Sequence, residues 1–303
     1  MGVRGLMSYC ASLKTTPPRY PRPSRIGIDA FCILYLFRDN TEALEAYLRG
    51  LLSHGHTLTI VVDSRAAKEK QDTVVSRRSA RAAAAAGAEA LTEFIATPEF
   101  DEMSLYEQQA VNRKLLFHQR DAWRVKGVHL RTFASLAETL GLTWVMAESE
   151  ADETLAALSK SGAVQIVISS DSDLLVLGVE TLWIPSVNGA HAQLSGLDVR
   201  RFVGLAGDRM YELAFLAGCD VHPQMLAPIA VAISWLRVHG SLAQIHARFP
   251  DKVTESDMAD YAALRAPGAC WGPPGGPTVG PPGGPTVGPP GGPTVGPPVG
   301  ATA

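Results

Sequence analysis

Only four cysteines occur in 303 residues, Cys10, Cys32, Cys219 and Cys270, and no two of them form a CxxC pair. That spacing argues against a disulfide framework or a zinc knuckle and for a reducing compartment. No apolar run approaches the roughly 18 residues of a membrane-spanning helix, so no membrane partner is expected. The start, MGVRGLMSYC, lacks a charged-then-apolar leader. Leu6 also stands where a myristoylation signal wants Ser or Thr. The histidines are dispersed, with His54 and His56 ahead of a strand, and they read as ordinary surface or core residues. What is left is an intracellular globular protein, its 46% apolar and 19% charged residues being ordinary for that class.

The net charge of −3 conceals an uneven layout. Residues 1–28 carry five basic side chains and no acid; residues 64–131 carry twelve basic and nine acidic. The rest holds ten basic against twenty-one acidic. Basic faces around an acidic centre suit a polyanion that is held while cations act on it, although solvated surface charge gives the same counts.

Strand-like and helix-like runs alternate along the chain. RIGIDAF (25–31), TLTIVVD (57–63), LTWVMA (142–147), VQIVISS (164–170) and TLWIP (181–185) read as short, largely buried strands. Helical patterns cover 41–53, 77–96, 104–122, 128–140 and 151–160, and residues 198–248 read as helices only. The expected class is α/β, with a mainly parallel central sheet flanked by helices. Three parts are expected: a core over 1–197 with a helical insertion at 64–131, a helical part over 198–266, and a tail over 267–303. In that tail GPPGGPTV repeats three times from Gly272, a composition that cannot build a core and reads as disordered.

The acids stand out by position. Asp29 closes the first strand, Asp63 the second, and Asp171 and Asp173 follow the fourth. Ligands of open parallel sheets gather at the strands' carboxyl ends. Glu150 and Asp152 sit where a helix begins after the third strand, a place that helix capping alone explains equally well. A turn would likewise account for Asp171 and Asp173. Asp220, in LAGCD, is expected to end a helix, where an acid is electrostatically misplaced. So many carboxylates at one edge would repel one another without a cation, and an all-oxygen set suits Mg²⁺ or Mn²⁺.

The order of these motifs resembles the flap endonuclease/XPG nuclease family over about residues 1–248. MGVRGL looks like that family's start; IGIDAF, IVVDS, SEADETLAAL, SSDSDLL and LAGCD match its acidic motifs in sequence order. The resemblance implies a PIN-like nuclease core, a helical arch in the 64–131 insertion, and two metal ions per site. Its implied ligands are Asp29, Asp63, Glu150, Asp152, Asp171, Asp173 and Asp220. Lys70 and Arg78 match a catalytic basic pair at the foot of the arch, with Arg77 a rival for Arg78. Arg77 and Arg81 are further substrate contacts. Tyr35 matches an aromatic that stacks on a base, or is a core tyrosine, and Gly2 is expected beside the site with the new N-terminus.

The stretch DVHPQMLAPIAVAISWLRVHGSL departs from the family pattern. It lacks the glycines of the helix-two-turn-helix that grips duplex phosphates, and Arg237 is its only Lys or Arg. The KEKQD run followed by paired arginines, together with DVHP, looks like the poxvirus branch. EADE and SDSDLLVLG also resemble the herpesvirus host-shutoff RNases. The implied activity is a structure-selective DNA endonuclease acting at flaps or branched ends in viral replication, recombination or break repair, in the host cytoplasm if poxviral. An endoribonuclease degrading mRNA and a non-catalytic nucleic-acid-binding protein are the alternatives.

Overall fold

The structure is a computed structural model that describes residues 2–18, 22–64, 71–148, 150–266, 269 and 271. After a short helix α1 (Leu6–Tyr9), the chain alternates through β1 (Arg25–Asp29), α2 (Ala30–Phe37), α3 (Thr41–Ser53) and β2 (Thr57–Val62). Three helices follow, α4 (Gln71–Ile95), α5 (Pro98–Asp101) and α6 (Leu105–Ala122). Then come α7 (Gly127–Thr139), β3 (Thr143–Met146), α8 (Ala151–Lys160), β4 (Ile166–Ile168), α9 (Asp173–Val176), β5 (Thr181–Pro185) and β6 (His191–Ser195). The remainder is helical: α10 (Gly196–Val203), α11 (Asp208–Ala217), α12 (Ile229–His239), α13 (Leu242–Arg248) and α14 (Glu255–Leu264).

The sheet order is β3-β2-β1-β4-β5-β6, parallel throughout except for β6. Strand alternation divides the core in two. Ile26, Ile28, Ile60, Val62, Ile166 and Ile168 face α2, α3 and α7, while Val61, Val167, Leu182 and Leu194 face α8 and the C-terminal helices. Burial of both faces explains why these strands read as continuous apolar runs. Gly27 faces α8; a Cβ there would meet Leu155 Cδ2 at 2.7 Å, so glycine lets that helix close on the sheet.

Several local expectations are corrected. The first strand stops at Asp29, whose carboxylate accepts from the Cys32 N–H at 3.1 Å and caps α2, a helix the sequence pattern did not suggest. The helix expected over 77–96 already begins at Gln71. The fourth strand is only three residues long. The antiparallel β6 was not expected, because HAQLS carries a single buried apolar side chain. α11 ends at Ala217, which leaves Asp220 in the following loop rather than on a helix end. α4 and α6 pack on each other within the 64–131 insertion. The repeat tail and Lys70 lie outside the described residues.

Candidate metal centre

Strand register brings the acids together. Ile28 is level with Ile168, so Asp29 ends β1 beside Ser169, and Asp171 lies two residues further on. Ser169, fully buried, donates to Asp29 Oδ2 at 2.9 Å and accepts from the Asp171 N–H at 3.1 Å, coupling the two acids' positions. Asp171 Oδ1 accepts from the Asp173 N–H at 2.9 Å. Asp63, just past β2, accepts from the Ala151 N–H at 2.5 Å and so docks the start of α8, the turn that carries Glu150 and Asp152. Carboxylate oxygens of Asp171, Asp173 and Asp220 lie within 4.8 Å of one another. Glu150, Asp152 and Asp173 also line one cleft of about 20 Å³ with Trp271, room for a single water or ion.

The electrostatics record this crowding. The Asp29 carboxyl is pushed up from 3.8 to about 6, first by burial, with the charges of Asp63 and Asp171 adding and the Cys32 and Ser169 hydrogen bonds opposing. Buried like charges joined by oxygen donors alone fit hard divalent cations. The structure thus brings Asp29, Asp63, Glu150, Asp152, Asp171, Asp173 and Asp220 to one sheet edge. Histidine and cysteine contribute to neither carboxylate grouping at that edge.

Of the two neighbouring arginines, Arg77 is the one that reaches this edge: its Nη2 pairs with Asp220 Oδ2. One helical position on, a rotation of about 100° turns Arg78 to solvent. Arg78 makes no hydrogen bond or ion pair among the described residues. Arg81, one turn beyond Arg77 on the same face of α4, is half-buried. Thr73 Oγ1 donates to the Asp220 carbonyl at 2.7 Å, a second tie from α4.

Gly2 has φ 63°, and a Cβ there would lie 2.2 Å from Asp171 Oδ1 and 2.4 Å from Ser172 Oγ. Only a residue without a side chain lets the N-terminal segment lie so close. The Arg4 N–H donates to the Gly218 carbonyl at 2.9 Å, and Ser172 Oγ donates to the Val3 carbonyl at 3.3 Å. Tyr35 is 40% exposed, which excludes the core reading. It meets Trp123 edge-on at 5.4 Å, and Trp123 in turn stacks on His129 and donates to Asp39 at 2.9 Å. Sequence reasoning assigned no role to Ser169, Thr73 or Trp123. Ser169 lay in plain view in SSDSD, whereas the other two join the site only through the fold.

A model of the XPG I-region matches residues 141–220, the span from β3 to Asp220. Flap endonuclease 1 of Glycine max is 24% identical over 275 residues, covering 81% of this chain and 68% of its own length. Among solved structures, the catalytic core of Rad2 in complex with a DNA substrate superposes with a TM-score of 0.58 at 17% identity, covering 87% of this chain and 79% of that one. The Holliday junction-resolving enzyme GEN1, in complex with product DNA and a Mg²⁺ ion, gives a TM-score of 0.52 at 16% identity, covering 86% of this chain and 58% of that one. No described helix is long and apolar enough to cross a membrane.

Proposed function

We propose that the chain belongs to the flap endonuclease/XPG nuclease family and is a divalent-metal-dependent, structure-selective endonuclease that hydrolyses phosphodiester bonds in flapped or branched DNA, a reading supported by the XPG I-region match over 141–220 and the likeness to flap endonuclease 1. The observation that carries this reading is the convergence of seven acids from separate elements on one sheet edge, with the Asp29 carboxyl held near 6 by burial and its acidic neighbours. Asp29, Asp63, Glu150, Asp152, Asp171, Asp173 and Asp220 would hold Mg²⁺ or Mn²⁺, two ions per site. When bound, such ions activate water and neutralise charge developing on a transferring phosphoryl group.

The chain's own side chains do the remainder. Ser169 fixes the Asp29 and Asp171 carboxylates relative to each other. Arg77 presents a guanidinium at the rim, paired with Asp220. Arg81 extends the positive face along α4. The exposed ring of Tyr35 offers a stacking surface to an unpaired base. The resemblance of the KEKQD and paired-arginine stretch to the poxvirus branch supports a role in viral replication, recombination or break repair in the host cytoplasm.

A second reading has a specific observation behind it. Arg237 donates to the carbonyls of Val203 at 2.8 Å and Phe202 at 2.5 Å, so the one Lys or Arg between Asp220 and Gly240 is spent on backbone rather than free for duplex phosphates. That favours single-stranded or RNA substrates and an endoribonuclease activity. Labelled 5′-flap DNA and matched RNA, each incubated with Mg²⁺ or Mn²⁺, separate the two. DNA cleavage that stops in Asp171→Ala supports the first reading and RNA preference the second. Cleavage undiminished by Asp171→Ala overturns both.

A further inference from the structure

A second group of metal-ligating side chains lies in the helical C-terminal part. A ring nitrogen of His222 and one carboxylate oxygen each of Asp257 and Asp260 all lie within 4.8 Å of one another. His222 follows α11 in the loop that bears Asp220, while both acids lie on α14. His222 is only 8% exposed, and its Nδ1 is buried with no hydrogen-bond partner among the described residues. Asp257 is 6% exposed, whereas Asp260 is exposed and opens the group to solvent.

Two of the three donors are held in place. The His222 ring stacks on Phe215 with centroids 3.9 Å apart, and Phe215 packs edge-on against Tyr261 of α14 at 5.3 Å. Asp257 Oδ2 accepts from the Thr254 N–H and hydroxyl, each at 2.7 Å, which leaves Oδ1 as the oxygen for a further ligand. Donors locked by packing and by hydrogen bonds are what a metal site requires.

We propose that His222, Asp257 and Asp260 form a second cation site, chemically distinct from the acidic edge, that takes a borderline divalent ion of the zinc class. One imidazole and two carboxylates with a solvent-facing side match a three-ligand site with a water in the fourth position. Donors about 2.0–2.2 Å from one ion lie roughly 3.3–3.6 Å apart in tetrahedral geometry, so the group, now within 4.8 Å, closes around the ion on binding. The hard, all-oxygen edge favours Mg²⁺ or Mn²⁺ instead, so the two sites select by ligand type. The ion ties α14 to the loop carrying Asp220 and thereby fixes that loop. This inference stands apart from the nuclease reading and survives its failure.

Calorimetric titration of Zn²⁺ into the full chain, in excess Mg²⁺ that occupies the acidic edge, is the test. The expected result is one Zn²⁺ per chain, weakened at least about tenfold by Asp260→Asn and unchanged by Asp171→Ala. Asp260 is exposed, so its substitution leaves the fold intact. Co²⁺ in place of Zn²⁺ gives a visible absorption band that Asp260→Asn removes. The proposal is overturned if no Zn²⁺ binds, if Asp260→Asn binds as tightly as the parent, or if Asp171→Ala abolishes binding.

Discussion

Replacing Asp29 by asparagine is expected to make the cation-free protein more stable. In the folded chain the Asp29 carboxyl is raised from 3.8 to about 6, chiefly by burial, with Asp63 and Asp171 adding repulsion. A carboxyl raised on folding holds its proton more tightly in the native state than in the unfolded one. Its ionisation therefore costs nothing below about pH 4, costs progressively more as pH rises to about 6, and is fully felt above that. At about 1.4 kcal/mol per unit, the cost reaches about 3 kcal/mol near neutrality as an upper figure. Asparagine removes the charge, and its Oδ1 still accepts from the Cys32 N–H. At roughly 2–4 °C per kcal/mol, Asp29→Asn should melt about 5–10 °C higher than the parent in chelator near neutral pH. The advantage should vanish near pH 4, where the parent carboxyl is protonated. Added Mg²⁺ should stabilise the parent and not the variant, and cleavage should be lost. Thermal unfolding by circular dichroism across this pH range, with and without chelator, measures all of it. A variant less stable than the parent in chelator, or a gap independent of pH, would refute the reasoning.

Arg77→Gln removes the partner of nearly buried Asp220 and should destabilise by about 1–3 kcal/mol in urea unfolding, discounted because the arginine is partly exposed. Arg78→Gln should stay within about 0.5 kcal/mol; equal losses from both would show that the wrong arginine has been placed at the edge. Gly2→Ala drives a Cβ into Asp171 and Ser172, and should lower cleavage about a hundredfold with little change in melting temperature; full activity would remove the close approach from the account. His191 is lowered from 6.5 to about 4, first by burial and then by His56, and pairs with the Tyr47 hydroxyl at 2.8 Å. The stability it gives is present above about pH 6.5 and lost as pH falls towards 4, about 1–2 kcal/mol after allowing for exposure. His191→Gln should flatten that acid limb in denaturant titrations, and an unchanged slope would count against it.

The sheet was legible because its strands are buried on both faces. Ile26 to Ile28, Leu58 to Val62 and Ile166 to Ile168 are apolar at every position that can carry a side chain except Thr59, and each is followed within three residues by an acid. β6 escaped because an edge strand with one covered face buries only Leu194, which leaves no periodic signal in HAQLS. α2 escaped because AFCILYLF is apolar on nearly every side, so its pattern runs on from the strand; Asp29 as an N-cap was the available clue. At the site, Asp29, Asp63, Glu150, Asp152, Asp171 and Asp173 stood out by their places after strands, and Asp220 by its place after a helix. Which arginine faces them was not readable, since Arg77 and Arg78 differ only by the phase of α4, and that phase is set by docking on Asp220. Nor was the grouping of His222 with Asp257 and Asp260 readable, for it depends on how α14 folds back across more than thirty residues.

The crossover between β2 and β3 has a consequence for how this protein could be rebuilt. β2 and β3 pair side by side, Thr59 with Thr143 through Val62 with Met146, although residues 63–142 intervene. The sheet thus closes around whatever hangs from that junction. A designer could exchange α5, α6 and the far part of α4 for another helical element, keeping the turn that docks Arg77 and Thr73 on Asp220, and leave the acidic edge untouched. The C-terminal helices permit no such graft, because Leu213, Phe215 and Ile233 belong to the interior itself.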